Sequence, residues 1–225
     1  MNLNPGEIHI WSAAIDERFE KTLNPSFLSV NEKRNAGKYA YDLDAYLYSV
    51  RHNLLRIILG GYLKCNPIEF KFNSNHYQKP HIFRPKTTIE YNISISSNRF
   101  VAAFCHRHFV GVDIEIIRTL KGLKQMLSEY FTIQEADWIF SQPENKIEAA
   151  FFNIWSKKEA LVKAIGKGLE IELNRFNVLS NKPFIYGNNE WHITPLNLFD
   201  DCAGALAINH PDSKISYFNA TDLFI

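Results

Sequence analysis

Asp113 and Glu115 stand two residues apart in the stretch FVGVDIEII, residues 109–117. Its apolar content and alternation predict a β-strand. A strand's period of two puts both carboxylates on one face, with Cβ atoms roughly 7 Å apart, while Ile114 and Ile116 point the other way, into a core. Two carboxylates on one face repel unless positive charge lies between them, and a hard cation with oxygen ligands meets that need. The bland alternative is an acidic face on an exposed strand, and the pair alone does not exclude it. A second group lies in WSKKEALVKAIGKGL, residues 155–169. On a helix, Trp155, Glu159 and Lys163 are spaced by four and share a face. Lys157, Lys158, Lys163 and Lys167 crowd into eleven residues of a nearly neutral chain, and Gly166 and Gly168 let a ligand or another backbone come close. A basic helix that also offers a carboxylate suits a metal-bound pyrophosphate. Glu159 would complete a site with Asp113 and Glu115, and Lys158 and Lys163 would offset phosphate charge. The alternative here is a surface Glu–Lys pair beside a core Trp. No Walker-type phosphate loop occurs.

These groups need elements to hold them. Residues 7–14 alternate as a half-buried strand, residues 30–41 can start a helix, and residues 42–64 carry apolar side chains at helical spacing up to Gly60-Gly61. Residues 68–72 form a short strand candidate, and 73–86, with Pro80 and Pro85, read as loop. Residues 89–96, 99–105 and 109–117 predict a strand meander. Residues 122–141 and about 147–165 predict helices, and 175–180, 183–186, 190–194, 203–209 and 214–218 a terminal set of strands. The order implies an α+β fold of two similar lobes, residues 1–108 and 109–225, each a mostly antiparallel sheet packed with a long helix.

The 225 residues are 46% hydrophobic and 22% charged, with 17 Phe and 10 Tyr, which predicts an ordinary Phe-rich core. A net charge of +1 makes no case for nucleic acid or membrane as partner. No apolar run reaches membrane-spanning length, and the N-terminal residues do not read as a signal peptide. Cys65, Cys105 and Cys202 are odd in number and far apart, as expected of free thiols in a reducing cytoplasm.

GVDIE at 111–115, followed some forty residues later by FFNIWSKKEALVKAIGKGL at 151–169, resembles the paired motif of 4′-phosphopantetheinyl transferases of the larger, surfactin-synthetase-activating (Sfp) type. YQKPHI at 77–82 is similar to the family's GKP segment, and YNISISSNRFVAAF at 91–104 to its FNxSHS strand. The likeness is clear over residues 77–169 and weaker on either side. It implies a pseudo-dimer of two α+β lobes with coenzyme A in the cleft, and transfer of its phosphopantetheine arm to a serine of an apo acyl or peptidyl carrier protein. It further implies Mg²⁺ held by Asp113, Glu115 and Glu159, with Glu159 or a metal-activated water as base. Lys163 and Lys158 would lie on the pyrophosphate, Lys79 and Pro80 against adenine, and Ser94 near the nucleotide phosphate. By the same resemblance Tyr130, Phe131 and Ile133 become carrier-docking candidates, with ordinary helix packing as the alternative.

The chain also departs from the pattern. Ile95 replaces a histidine that touches the donor 3′-phosphate, Leu47 stands where an arginine is usual, and Gln78 replaces the glycine of GKP. Arg51, Lys33 and Arg34 are the remaining candidates for the 3′-phosphate. Those losses leave a second reading, a weakened homologue that binds a carrier protein or nucleotide without catalysis. Trp155 is expected to pack at the lobe boundary, and His106 and His108 to lie in an exposed turn rather than on a metal. Two lobes in one chain make a monomer the simplest expectation.

Overall fold

The structure is a computed structural model that describes residues 1–16, 19, 24–180 and 182–224. Its first sheet has the order β10-β1-β5-β4, built from β1 (Glu7–Ala14), β4 (Ile89–Ser96), β5 (Arg99–His106) and β10 (Lys214–Asn219). Its second has the order β6-β9-β8-β7, from β6 (Val110–Ile116), β7 (Phe184–Tyr186), β8 (Asn189–Pro195) and β9 (Cys202–Ile208). Every pairing within these sheets is antiparallel except β1 with β10, which is parallel. The two sheets with their helices give the α+β pair of lobes the sequence implies. The last strand, although at the end of the chain, joins the first sheet.

Each lobe carries one long helix. Helix α2 (Asp42–Leu63) follows α1 (Val30–Ala36) and buries Val50, Leu54, Leu55, Ile58 and Leu59 against Trp11, Ala13, Phe100, Ala102 and Phe104. Alternate residues of the same strands, Ile8, Ile10, Val101 and Ala103, face the other way. They pack on Val110, Val112, Ile114, Leu206 and Ile208, so the two sheets meet back to back. In the second lobe come α3 (Leu123–Tyr130), α4 (Ile133–Phe140) and α5 (Ile147–Ile165). Helix α5 is the central one, with Phe151, Ile154, Ala160, Leu161 and Ala164 buried over β9 and β8. The strand period thus sends Val112 and Ile114 of β6 to the seam and leaves Gly111, Asp113 and Glu115 on the face that α5 covers.

Five expectations change. The predicted meander stops after its β4–β5 hairpin, because β6 pairs with β9 in the second sheet and not with β5. Residues 68–72, read as a strand, begin in a 3-10 turn, Pro67–Glu69, capped by Asn66, and only Lys71 and Phe72 of them enter a strand. Residues 73–86, read as loop, hold part of a two-stranded hairpin, β2 (Lys71–Ser74) and β3 (Pro80–Arg84). Residues 122–141 are two helices, because Thr132 caps α4 in a capping box with Glu135. Residues 175–180 form no strand, for the Phe176 carbonyl and the Val178 amide are taken by buried side chains described below.

In the first lobe, Arg56 on α2 is 1% exposed and donates to Glu32 of α1 (Nε–Oε2 3.0 Å) and to the carbonyls of Pro67 and Phe70. Burial alone would raise the Glu32 pKa, but hydrogen bonds from His52, Arg56 and Ser29 outweigh it and hold the carboxyl at about 2. A depressed carboxyl stabilises the fold above its unfolded pKa of 4.5, and that stability disappears as pH falls towards 2. Glu32→Gln is therefore expected to cost about 3 kcal/mol at pH 7 and little near pH 2. Denaturant titrations at both pH values check this, and equal losses at the two would contradict it.

Candidate active site

At the junction of the lobes, β4 runs beside β6, and its alternate polar side chains reach across. The Asn92 side-chain oxygen accepts from the Val112 amide (2.9 Å). Ser94 Oγ donates to Asp113 Oδ1 (2.8 Å), and Ser96 Oγ donates to Glu115 Oε2 (2.9 Å) while accepting from the Ile116 amide. From α5, Lys163 Nζ donates to Asp113 Oδ1 (2.6 Å) and to Ser94 Oγ (3.0 Å). Gly111 makes this meeting possible. A Cβ there would lie 2.8 Å from Ala164 Cα and closer still to the Ala160 carbonyl and Ala164 amide.

The charge in this cluster is unbalanced. Asp113 is 3% exposed, and its Oδ2 is buried with no hydrogen-bond partner. Burial raises its pKa, against the pull of Lys163 and Ser94. Glu115 and Glu159 are also raised, by burial first and then by the charge of Asp113. Three carboxylates that each resist ionisation, with one ammonium among them, form a donor set of hard oxygens short of positive charge. Among the described residues, however, no group of three carboxylate, imidazole or thiol side chains converges closely enough to enclose a metal ion as placed.

Beside the cluster opens a cleft of about 370 Å³. Tyr77, Gln78, Lys79 and Pro80 of the β2–β3 hairpin form one wall. Glu159, Val162 and Lys163 form another, and Gly166, Gly168, Ile171 and Leu173 close it. The hairpin is latched to the end of α5. Asn75 Nδ2 donates to the Gly166 carbonyl (3.1 Å), and Lys79 Nζ donates to the carbonyls of Ala164 (3.0 Å) and Val110 (3.1 Å). Burial lowers the Lys79 pKa to about 8. Lys79 therefore lines the cleft while its ammonium caps α5. Gln78 has φ 66°, a conformation glycine adopts without penalty, which fits the glycine that the motif resemblance implies at this position.

A second hollow, about 240 Å³, is lined by Arg51, Ile93, Ser94, Ile95, Phe100 and Lys163. Arg51 projects from α2 over the Tyr48 ring (4.6 Å), and its Nε is buried without a partner. Leu47 lines a different hollow with Asp16 and Asn98. Lys33 and Arg34 are exposed on α1 and do not line the cleft or the Arg51 hollow.

The sequence profile of the 4′-phosphopantetheinyl transferase superfamily matches residues 109–199, which include β6 and α5. A transferase of that name from Aneurinibacillus migulanus, gsp, is 33% identical over 171 residues, covering 73% of this chain and 70% of its own length. The chain belongs to the 4′-phosphopantetheinyl transferase family. The transferase HetI of Nostoc sp. is 25% identical across 92% of this chain and 90% of its own. Sfp of Bacillus subtilis is 24% identical across 68% and 66%.

Within this member of the phosphopantetheinyl transferase family, Asp113, Ser94 and Lys163 are drawn into one bonded cluster, Glu115 is held two residues further along β6 by Ser96, and Glu159 and Pro80 line the adjoining cleft. Lys158 is not brought there. It is fully buried in the second lobe, with Nζ on Glu135 and on two backbone carbonyls, because adjacent residues of a helix point about 100° apart. Trp155 stacks on Phe131 and Phe151 inside that lobe rather than at the boundary. Phe131 is 4% exposed and packs on Phe151 and Trp155, whereas Ile133 is 77% exposed. His106 bonds Thr88 and the Leu3 carbonyl, and His108 lies against His210. Asn92, Ser96 and Glu135 were not singled out from sequence. Their signals were the polar alternation N-x-S-x-S along β4 and the T-x-x-E spacing at Thr132.

Proposed function

We propose that this chain transfers the 4′-phosphopantetheine group of coenzyme A to a serine of an apo acyl or peptidyl carrier protein and releases 3′,5′-ADP. The observation that carries the reading is the Asp113–Ser94–Lys163 cluster beside a cleft between two lobes, in a chain of this family. The serine hydroxyl oxygen attacks the β-phosphorus, and the bond from that phosphorus to the leaving ADP oxygen breaks. Lys163, 28% exposed at its side chain, offers N–H donors to the phosphate oxygens as charge accumulates on them. Glu159 takes the hydroxyl proton. It lines the cleft, has no hydrogen-bond partner among the described residues, and its raised pKa makes it a better base than a solvated carboxylate.

Asp113, Glu115 and Glu159 are the residues that would hold Mg²⁺. The orphaned Asp113 Oδ2 and the excess of carboxylate over ammonium support this fit. When bound, the ion would supply charge neutralisation at the donor pyrophosphate. The reading also carries a monomer, since one chain supplies both walls of the cleft. It carries a cytoplasmic location too, in keeping with three free cysteines. No helix among the described residues is long and apolar enough to cross a membrane.

The test is incubation with coenzyme A, Mg²⁺ and apo carrier proteins of fatty-acid, polyketide and peptide type, with mass spectrometry of the carrier. A phosphopantetheine adduct is expected, and its absence from every carrier would overturn the reading. Arg51 is assigned to the donor 3′-phosphate, the one cation of α2 that faces the hollow where Ile95 offers neither charge nor hydrogen bond. Arg51→Leu should remove a charge-assisted contact of about 1.5–3 kcal/mol, raising KM for coenzyme A roughly 10- to 150-fold. KM for dephospho-coenzyme A should stay near that of the parent. An equal rise for both donors would refute the assignment.

A further inference from the structure

We propose that Glu135 and Lys158 form an internal brace that positions the Ile171–Val178 wall of the cleft against the turn of α5 bearing Glu159. Lys158 is thereby a positioning residue and not a phosphate ligand. The inference rests on the transferase reading only for its kinetic consequence.

Both side chains are fully buried. Lys158 Nζ has three acceptors for its three protons: Glu135 Oε2 at 2.8 Å, the Leu173 carbonyl at 2.7 Å and the Phe176 carbonyl at 2.6 Å. Glu135 is equally saturated. Its Oε1 accepts from the Val178 amide (2.9 Å), and its Oε2 accepts from the amide and hydroxyl of Thr132. The segment these bonds hold has only one short 3-10 turn, Leu173–Arg175, and no strand partner. Its path is therefore set by side chains, with Leu173, Phe176 and Val178 each tied to the pair. Ile171 and Leu173 from this segment line the cleft together with the hairpin residues Lys79 and Pro80. Lys158 directly precedes Glu159 in α5, so the brace spans the cleft wall and the proposed base. A buried ion pair seldom adds net stability over apolar packing of the same volume, so its geometry is the better account of its presence. To reach a phosphate, Lys158 would have to abandon three short bonds and leave the lobe interior.

The test compares the parent with Lys158→Met, Glu135→Gln and the double variant in the full chain. Transfer kinetics, thermal melting and hydrogen exchange of the Ile171–Val178 amides are measured for each. Each single variant leaves a buried charge unpaired and is expected to lose stability. The double variant carries no buried charge and should melt closer to the parent. In every variant lacking Lys158, KM for coenzyme A should stay raised roughly 10- to 100-fold, as for other supporting contacts, with little change in kcat. Exchange at Ile171–Val178 should be faster there too. If Lys158→Met does not fold, the double variant alone decides. Parental KM and parental exchange in the double variant would overturn the brace. So would a collapse of kcat at saturating coenzyme A on loss of Lys158 with Glu135→Gln unaffected, since that would put Lys158 on the phosphate. If the parent itself transfers nothing, the transferase reading fails, and the exchange measurement still tests the brace.

Discussion

Asp113→Asn will slow phosphopantetheine transfer by roughly 10²–10³-fold, the usual loss when one electrostatic contributor to an acyl- or phosphoryl-type transition state is removed, yet change stability by only about 1 kcal/mol. The carboxylate sits 3% exposed with Oδ2 unpartnered, and burial raises its pKa. Charge at that position is therefore a burden on the fold, which its proposed role in holding the metal and donor would account for. An asparagine keeps an oxygen for Ser94 and Lys163 but removes the negative charge. Loss of the charge-assisted bond from Lys163 and relief of the stranded oxygen act in opposite directions. The partly exposed lysine can also turn to solvent. Initial rates at saturating carrier and coenzyme A, with a thermal melt of the same sample, measure both effects. Parental turnover in Asp113→Asn would remove this carboxylate from the mechanism.

Gly111→Ala should be more damaging than its size suggests. The added methyl would be driven into the backbone of α5, with Ala164 Cα at 2.8 Å and the Ala160 carbonyl and Ala164 amide nearer. Backbone cannot rotate aside as a side chain does, so the helix must move. Overpacking of this kind costs about 3 kcal/mol, or roughly 6–12 °C in melting temperature for a chain of this size. Helix α5 carries Glu159 and Lys163, and β6 carries Asp113. A shift of about 1 Å between them should therefore cut turnover by about 10²-fold in the part that stays folded. Gly37→Ala serves as the control: Gly37 has φ −68°, and its added Cβ would meet only ordinary contacts at 3.7 Å. Melting of Gly111→Ala alongside that control would refute the close-approach argument.

Much of the site was legible because its residues lie on regular elements. The period of a strand placed Asp113 and Glu115 together, and the period of a helix placed Glu159 with Lys163. The long helices 42–64 and 147–165 and the strands at 7–14, 89–96 and 99–105 emerged close to their observed limits for the same reason. The misreadings fall where backbone bonds are not made by the local element. Residues 175–180 alternate like a strand, with Phe176 and Val178 turned inward, but their backbone partners are Lys158 and Glu135. The β2–β3 hairpin is short and largely exposed, so apolar alternation gave it little signal, and its prolines pointed to loop.

Local order and donor chemistry followed from residue spacing: two carboxylates on one strand face, a carboxylate and lysines on one helix, and the family motif they compose. The assembly of these parts did not. Lys158 and Lys163 lie in one motif, five residues and about 140° apart around α5. Which of them meets the cleft depends on how the helix is rotated over β6, and the bare Gly111 sets that approach. Lys79 caps α5 because the hairpin crosses from the other lobe, and β10 returns to the first sheet beside β1. Such choices depend on contacts between residues roughly 50 to 210 positions apart, which local periodicity does not encode, and on which polar atoms burial leaves in need of a partner.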